Sequence, residues 1–376
     1  MARDRRADHG PMPAVLRPLA PLAERLYARA IARRNARYDA RTRASAFSPG
    51  GLTVTLDRPV ISVGNLSVGG TGKTPTVQLI CKWLQDAGRH PAIAMRGYGA
   101  RDGLSDEAEL HRAALPDVPL AIGPNRVQQL IQLFASPQGE GVDTIVLDDG
   151  FQHRRLARQL DIVLIDATQD PFSQRLLPAG WLREPVASLA RADAVVLTHA
   201  DRARPADVTR IETELRRRFL RLMIARGSHA WAELLVSVEG DERTEPIEWL
   251  RGRRYALACA IGKPEAFIEQ AERSFGSPTR QMVLRDHDPY APATIQRLMR
   301  LAAGCDALLV TQKDWTKLVH VPAEQWPCPI VRPRLELQLD TGGDALVDAV
   351  LATSLWQDPV GEELADRESA DHHEAG

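Results

Sequence analysis

The sequence predicts an α/β protein: a unit built on a parallel sheet, a second and smaller α/β unit later in the chain, and an amphipathic helix ahead of both. Three observations predict it. Short apolar runs rich in β-branched residues recur along the chain, helical patterns separate many of them, and residues 14 to 38 repeat apolar side chains at spacings of three and four. Strands alternating with helices form βα units, which pair in parallel. With 376 residues, 44% hydrophobic and 26% charged, the chain has the size and composition of roughly two globular domains.

The helix comes first. In "AVLRPLAPLAERLYARAIARRNARY", Val15, Leu19, Leu22, Leu26 and Ala30 share one face. Arg25, Arg29, Arg33, Arg37 and Arg41 form a second row, which drifts round the axis because a turn holds about 3.6 residues. Residues 1 to 43 contain eleven arginines and four acids, a charge near +7 in a chain whose net charge is −1. An apolar stripe beside an arginine row suits a helix lying in an anionic membrane interface. A packed surface helix with a solvated charged face carries the same pattern. Nucleic acid is disfavoured, since no stacking aromatics or known binding module accompany the arginines.

The strand candidates are "VISV" (60–63), "PAIAM" (91–95), "TIVL" (144–147), "DIVLI" (161–165), "AVVL" (194–197), "YALACAI" (255–261), "QMVL" (281–284) and "ALLV" (307–310). Their length and branching suit strands buried on both faces. Helical patterns fall at 75–87, 124–134, 206–221, 264–275 and 292–303. The expected organisation is a basic helix at 1–45, a main domain at 46–225, a hinge at 226–253, a smaller α/β domain at 254–340, and a C-terminal helix with an acidic tail at 341–376. The tail is polar and lacks aromatics after Trp356, which predicts disorder.

Ligands of open α/β sheets bind beyond the carboxyl ends of the strands, and here those ends are polar. "VISV" runs into "GNLSVGGTGKTP". A phosphate cradle needs consecutive backbone N–H groups converging on an anion, which Gly69, Gly70 and Gly72 permit. The loop Ser67, Val68, Gly69, Gly70, Thr71, Gly72, Lys73, Thr74 departs from the P-loop pattern GxxxxGK[ST] only in placing Ser67 at the first glycine. Lys73 would neutralise phosphate charge and the Thr74 hydroxyl would ligate Mg²⁺. Pro75 fits the first helical turn, where the missing N–H has no intrahelical partner. "TIVLDDG" then reads as a strand delivering Asp148 and Asp149 to a metal or to the reacting groups, although adjacent acids after a strand are also ordinary turn residues. The expected domain is therefore P-loop NTPase-like and binds ATP.

Four cysteines, Cys81, Cys259, Cys305 and Cys328, stand far apart with no CxxC pair, so neither a disulfide framework nor a zinc site is signalled. No apolar run approaches the roughly 18 residues of a membrane span, and the N-terminal residues lack the apolar core of a signal peptide. The expectation is a protein on the cytoplasmic side.

Taken together, "GNLSVGGTGKTP", "RGYG", "LDDGFQHRRLARQLDIVLID", "LLPAGWLREP", "DHDPY" and "TQKD" resemble the tetraacyldisaccharide 4'-kinase family over about residues 12 to 340. The resemblance implies a lipid kinase of lipid A biosynthesis, which uses MgATP to phosphorylate the 4'-hydroxyl of an acylated glucosamine disaccharide 1-phosphate at the cytoplasmic face of the bacterial inner membrane. It implies a peripheral, monotopic placement and no protein partner. The family's Gly loop commonly carries Ser or Thr at the place of Ser67. Its catalytic aspartate maps to Asp106 of "LSDEAEL", where Ser105 replaces a glycine and Ala108 a proline. Its histidine maps to His287, which would orient that aspartate. Arg96 and Tyr98 of "RGYG", Gln152, Arg183 and Glu184 become further substrate or nucleotide contacts. By their residues alone, Asp106 with Glu109 also reads as a capping box, and His287 as a solvated loop histidine. Lys313 and Asp314 end a strand of the smaller domain and read either as nucleotide-base contacts or as a surface ion pair. A soluble P-loop ATPase or small-metabolite kinase is the competing enzyme class.

Overall fold

The computed structural model describes residues 10–42, 53–97, 106–262, 264–286 and 288–353, without the side chains of residues 14, 41, 42 and 106. Tyr98, His287, the acidic C-terminal segment and the side chains of Asp106 and Arg41 thus lie outside the described residues. A 3-10 turn at Ala14–Leu19 leads into α1 (Ala20–Thr42). Then follow β1 (Val60–Asn65), α2 (Lys73–Asp86), β2 (Pro91–Met95), α3 (Asp106–Ala114), β3 (Leu120–Ile122), α4 (Arg126–Phe134), β4 (Thr144–Asp148), β5 (Leu160–Asp166), β6 (Ala194–Thr198), α5 (Pro205–Arg218) and β7 (Met223–Val238). The remainder is β8 (Asp241–Pro246), β9 (Tyr255–Cys259), α6 (Pro264–Phe275), β10 (Arg280–Val283), α7 (Pro292–Ala302), β11 (Ala307–Leu309), α8 (Gln312–Leu318), β12 (Ile330–Thr341) and α9 (Gly343–Leu351).

The chain divides into two compact units, one comprising Met1–Arg96, Val118–Ser228 and Leu339–Gly376, the other Gly97–Asp117 and His229–Gln338. In the first, strands pair in parallel in the order β7-β6-β5-β1-β4-β2-β3. Every residue of β1, β2, β4, β5 and β6 is buried, which is why these strands read as unbroken apolar runs and not as alternation. Val208, Ile211 and Leu215 of α5 join Val163, Val195 and Leu197 in one core cluster. Leu130 and Leu133 of α4 join Val60, Ile145 and Leu147 in another.

The second unit has its own parallel strands, in the order β10-β9-β11-β12. Its core has two parts, Leu257, Phe267 and Phe275 in one and Ala258, Leu298 and Leu308 in the other. Two boundaries differ from the sequence expectation. Residues 226–253 form most of β7, an antiparallel hairpin to β8, and a 3-10 turn at Ile247–Leu250. In β8, "DERTEP" is charged and mostly exposed, so polarity that resembles a linker is here an edge strand guarded by charge. Residues 97–117, including α3, fall with the second unit and not with the strands that flank them in sequence.

The helix α1 belongs to the first unit, and its apolar stripe faces outward. Val15 is 83% exposed, Leu19 58%, Leu22 60% and Leu26 58%, and Arg25, Arg29, Arg33 and Arg37 are exposed as well. The opposite face meets the protein through polar contacts: the Glu24 carboxylate accepts from Arg175 Nε and the Leu176 N–H, both at 3.0 Å, and Arg154 donates to Asp39 at 2.6 Å. Among the described residues, no helix is long and apolar enough to cross a membrane.

Strand β1 approaches the segment after β4 without room for a side chain. A Cβ on Gly64 would sit 2.5 Å from Phe151 Cβ and 2.6 Å from its backbone nitrogen, and Phe151 is fully buried. Gly64→Ala is therefore expected to destabilise the protein by about 1–3 kcal/mol. Urea unfolding checks this through a lower midpoint at unchanged slope.

Candidate phosphate-binding and phosphotransfer site

Because its strands are parallel, the first unit collects the carboxyl ends of β1, β2, β4 and β5 at one edge of its sheet. From β1 the chain enters the glycine loop. Gly69 has φ 129° and Gly72 φ 83°, conformations that side-chain-bearing residues rarely adopt. A Cβ at Gly69 or Gly70 would meet nothing within 4 Å, so the loop's backbone faces open space. Gly72 stands at the N-cap of α2, whose first residues are Lys73 and Thr74, with Pro75 in the first turn. The loop thus leads directly into a helix N-terminus, where backbone donors and the dipole favour an anion.

The loop is braced from three sides. The Val68 N–H donates to the Trp181 carbonyl at 2.8 Å and the Arg183 N–H to the Leu66 carbonyl at 2.6 Å; Ser67 bridges Leu182 in the same antiparallel contact. Thr71 is buried, its hydroxyl accepts from Asn65 Nδ2 at 2.9 Å, and its carbonyl accepts from the Thr198 hydroxyl at 3.0 Å. Gln152 Nε2 donates to the Asn65 carbonyl at 2.9 Å, so Gln152 supports the loop from the segment after β4.

Register brings the acids level with the loop: Val63 of β1 pairs with Asp148 of β4, and the Gly150 N–H donates to the Val63 carbonyl at 2.9 Å. Asp148 is buried at the end of β4. Asp149 has φ 56°, a strained conformation for a non-glycine residue of the kind found at functional turns. Its carboxylate lies 3.7 Å from Lys73 Nζ and accepts from Arg183 at 2.8 and 3.1 Å. Arg126 donates to its backbone carbonyl at 3.1 Å. Burial works against charge on Asp149, but Lys73 and Arg183, with help from Arg126, outweigh it and hold the carboxyl below the usual carboxylate range.

Of the other sequence candidates, Arg96 stands exposed just beyond β2, and Asp106 is the first residue of α3, in the other unit. Glu184 is fully buried: Arg191 donates to one carboxylate oxygen at 3.0 Å and Asn35 to the other at 2.8 Å. It braces Arg191 and Asn35 from within. In the second unit Lys313 lies 3.4 Å from Asp286, an ion-pair partner the sequence did not name. Asp314 is buried and closes a capping box with Thr311 at the start of α8.

Sequence reading missed Arg126, Asn65 and Arg191. A signal for Arg126 exists: it shares the buried face of α4 with Leu130 and Leu133, and an arginine on an apolar helix face calls for an acidic or carbonyl partner. Asn65 and Arg191 act through contacts distant in sequence and leave no such mark. His153 is a further consequence of this concentration of arginines. Burial, then Arg126, Arg158, Arg155 and Arg34, push its imidazole down to about 4.

A family model described as tetraacyldisaccharide-1-P 4'-kinase matches residues 15–352. The tetraacyldisaccharide 4'-kinase of Anaeromyxobacter sp. (strain K) is 33% identical over 371 residues, covering 92% of this chain and 93% of that protein. The protein of the same name from Geobacter metallireducens is 38% identical over 304 residues, covering 74% and 84%. Among solved structures, the "apo" form of LpxK from Aquifex aeolicus in complex with ATP superposes with a TM-score of 0.69 at 27% identity, covering 89% of this chain and 98% of that one.

The His153 environment yields a pH dependence. The unfolded chain takes up this proton near an ordinary histidine pKa of about 6.5, the folded protein only near 4. Its contribution to stability is therefore complete above about pH 6.5 and is lost as pH falls towards 4. Thermal denaturation is expected to show His153→Asn losing less stability than the wild type between pH 7 and pH 5. Equal losses would contradict this placement of His153.

Proposed function

The chain belongs to the tetraacyldisaccharide 4'-kinase family, the ATP-dependent kinases of lipid A biosynthesis that phosphorylate the 4'-hydroxyl of tetraacyldisaccharide 1-phosphate, and we propose a role for each element of its site. The loop from Ser67 to Thr74 holds the ATP phosphates on its backbone N–H groups. Lys73, now shared with Asp149, turns its charge to the β- and γ-phosphates. Thr74, Asp148 and Asp149 hold Mg²⁺. The donor set fits: one hydroxyl and two carboxylates are hard oxygens, and Mg²⁺ at nucleotide sites is bound by one or two carboxylates together with phosphate oxygens. When bound, the ion would offset phosphate charge during transfer. Arg183 keeps Asp149 ionised and aimed.

Asp106 is the proposed general base, taking the proton of the sugar hydroxyl, with His287 orienting it. Arg96 and Tyr98 are proposed contacts to substrate or nucleotide; Gln152 and Glu184 position the site from beneath. The exposed stripe of α1, with its arginine row, supports a helix seated in the anionic interface at the cytoplasmic face of the inner membrane. There the acylated glucosamine disaccharide 1-phosphate is met in its own lipid phase. The protein is peripheral and monotopic.

The observation that carries this reading is the convergence of Lys73, Arg183 and Asp149 beside the open glycine loop. Phosphoryl transfer depends mainly on positioning and charge, so Lys73→Ala and Thr74→Ala are expected to lower kcat by about a hundredfold or more with the fold intact. A folded Lys73→Ala enzyme with wild-type kcat would overturn the loop's role. Asp106→Ala should lower kcat far more than Tm, whereas loss of a helix cap alone costs about 0.5–2 kcal/mol of stability with little kinetic effect. For α1, sedimentation with liposomes should increase with anionic lipid and fall only partly at high salt. Arg25, Arg29, Arg33 and Arg37 changed to Gln should remove the salt-sensitive part. A protein that stays in the supernatant with anionic vesicles at low salt would contradict the interfacial placement.

A further inference from the structure

An anchor helix needs no specific contact with a reacting centre, and apolar packing would be enough to hold it. The inner face of α1 carries polar side chains beside Ala20, Ala23, Ala28 and Ile31, and several of their contacts end on residues around Asp149. The Tyr27 hydroxyl donates to the Arg183 carbonyl at 2.8 Å. Asn35 Nδ2 donates to the Glu184 carboxylate at 2.8 Å. The Arg34 guanidinium donates to the Gln152 carbonyl.

From each of these a second contact runs inward. The Arg183 guanidinium holds the Asp149 carboxylate at 2.8 and 3.1 Å. The Gln152 side chain donates to the Asn65 carbonyl, and the Asn65 side chain to Thr71 within the glycine loop, both at 2.9 Å. Glu184 accepts from Arg191 at 3.0 Å, and that guanidinium lies 3.6 Å from the centre of the Phe151 ring, directly after Asp149 and Gly150. Hydrogen bonds fix direction as well as distance, whereas an apolar contact can slide. Burial, then the Glu184 charge, push the Tyr27 phenol up, so its hydroxyl remains a donor.

We infer that Tyr27, Arg34 and Asn35 are positioning residues for phosphoryl transfer: they hold Arg183, Gln152 and Glu184 where these keep Asp149 and the glycine loop aligned. This rests on the reading of Ser67–Thr74 and Asp149 as the phosphate and metal site. It gives α1 a second role beside its outward face. A displacement of the helix reaches the Asp149 carboxylate through two contacts, and by linkage whatever tightens the site also tightens the seat of the helix.

The test uses the full-length enzyme with tetraacyldisaccharide 1-phosphate dispersed in detergent, so that membrane attachment does not limit the rate. Active sites are counted by ATP-binding stoichiometry. Tyr27→Phe, which removes one hydroxyl and keeps the ring, and Asn35→Ala are each expected to lower kcat per ATP-binding site about three- to tenfold, with KM for ATP within about twofold of wild type. In Tyr27→Phe/Arg183→Ala, the Tyr27 change should add less than about twofold to the loss caused by Arg183→Ala, because it acts through that residue. Wild-type kcat per binding site in both single variants, with only the active fraction or Tm reduced, would make the contacts a structural seat and overturn the inference. Full multiplication of the two losses in the double variant would overturn it as well. Tyr27→Phe decides the matter even where Asn35→Ala fails to fold. Lys73→Ala is assayed alongside: wild-type kcat there would show that the underlying reading of the loop has failed, and not the inference about α1.

Discussion

A partly buried carboxylate with no partner is pushed towards its protonated form; one surrounded by cations stays charged. Asp149 is of the second kind, and its charge is the constraint on which the first unit's site depends. Lys73 reaches it at 3.7 Å from the start of α2, and Arg183 at 2.8 Å from the segment that pairs with the glycine loop. Arg126 fixes its backbone carbonyl from the first turn of α4. Each partner is carried by a different stretch of chain, so the charge balance at one residue ties together the loop, two helices and the end of β4. Taking away any one cation weakens the offset to burial and lets the Asp149 carboxyl rise towards the usual carboxylate range.

The parallel sheet makes this convergence possible. Alignment of Val63 with Asp148 sets the acids beside the start of the loop, and the absence of a side chain at Gly64 lets Phe151 close over β1. The same segment, from Asp148 to Arg154, then receives the inner face of α1 through Gln152 and Arg154. A helix that reads in sequence as an appendage is therefore joined to the site by its polar side, which leaves its apolar stripe outward. On the proposed reading, one helix meets lipid with one face and the phosphate site with the other.

Legibility in the sequence followed burial and locality. All eight apolar runs became strands within a residue or two of their expected ends; most are covered on both faces and must be apolar throughout, whereas β10 is largely exposed, which corrects the expectation of burial for that run. The short β3, the β7–β8 hairpin and β12 were not legible. β3 has three residues, β8 is charged and mostly exposed, and β12 carries buried Arg332 beside Pro333. Arg332 is tolerated there by partners far away in sequence, Glu242, Ser237 and Gln312. The glycine loop entering α2, and the acids at the end of β4, stood out because a glycine-rich turn between a strand and a helix leaves a local pattern. The burial of Glu184 was not, since only Arg191 and Asn35 reveal it. Nor does a stripe of leucines alone say whether it turns inward or outward.

The most direct test of the account is the Asp149→Asn enzyme, which keeps the size and hydrogen-bonding reach of the side chain and removes its charge. ATP binding by calorimetry and kcat for phosphorylation of tetraacyldisaccharide 1-phosphate are measured on the same preparation. If the ionised carboxylate organises Lys73, Arg183 and the metal, kcat should fall by about a hundredfold or more while ATP is still bound. Wild-type kcat in a folded, ATP-binding Asp149→Asn enzyme would contradict the account at its centre.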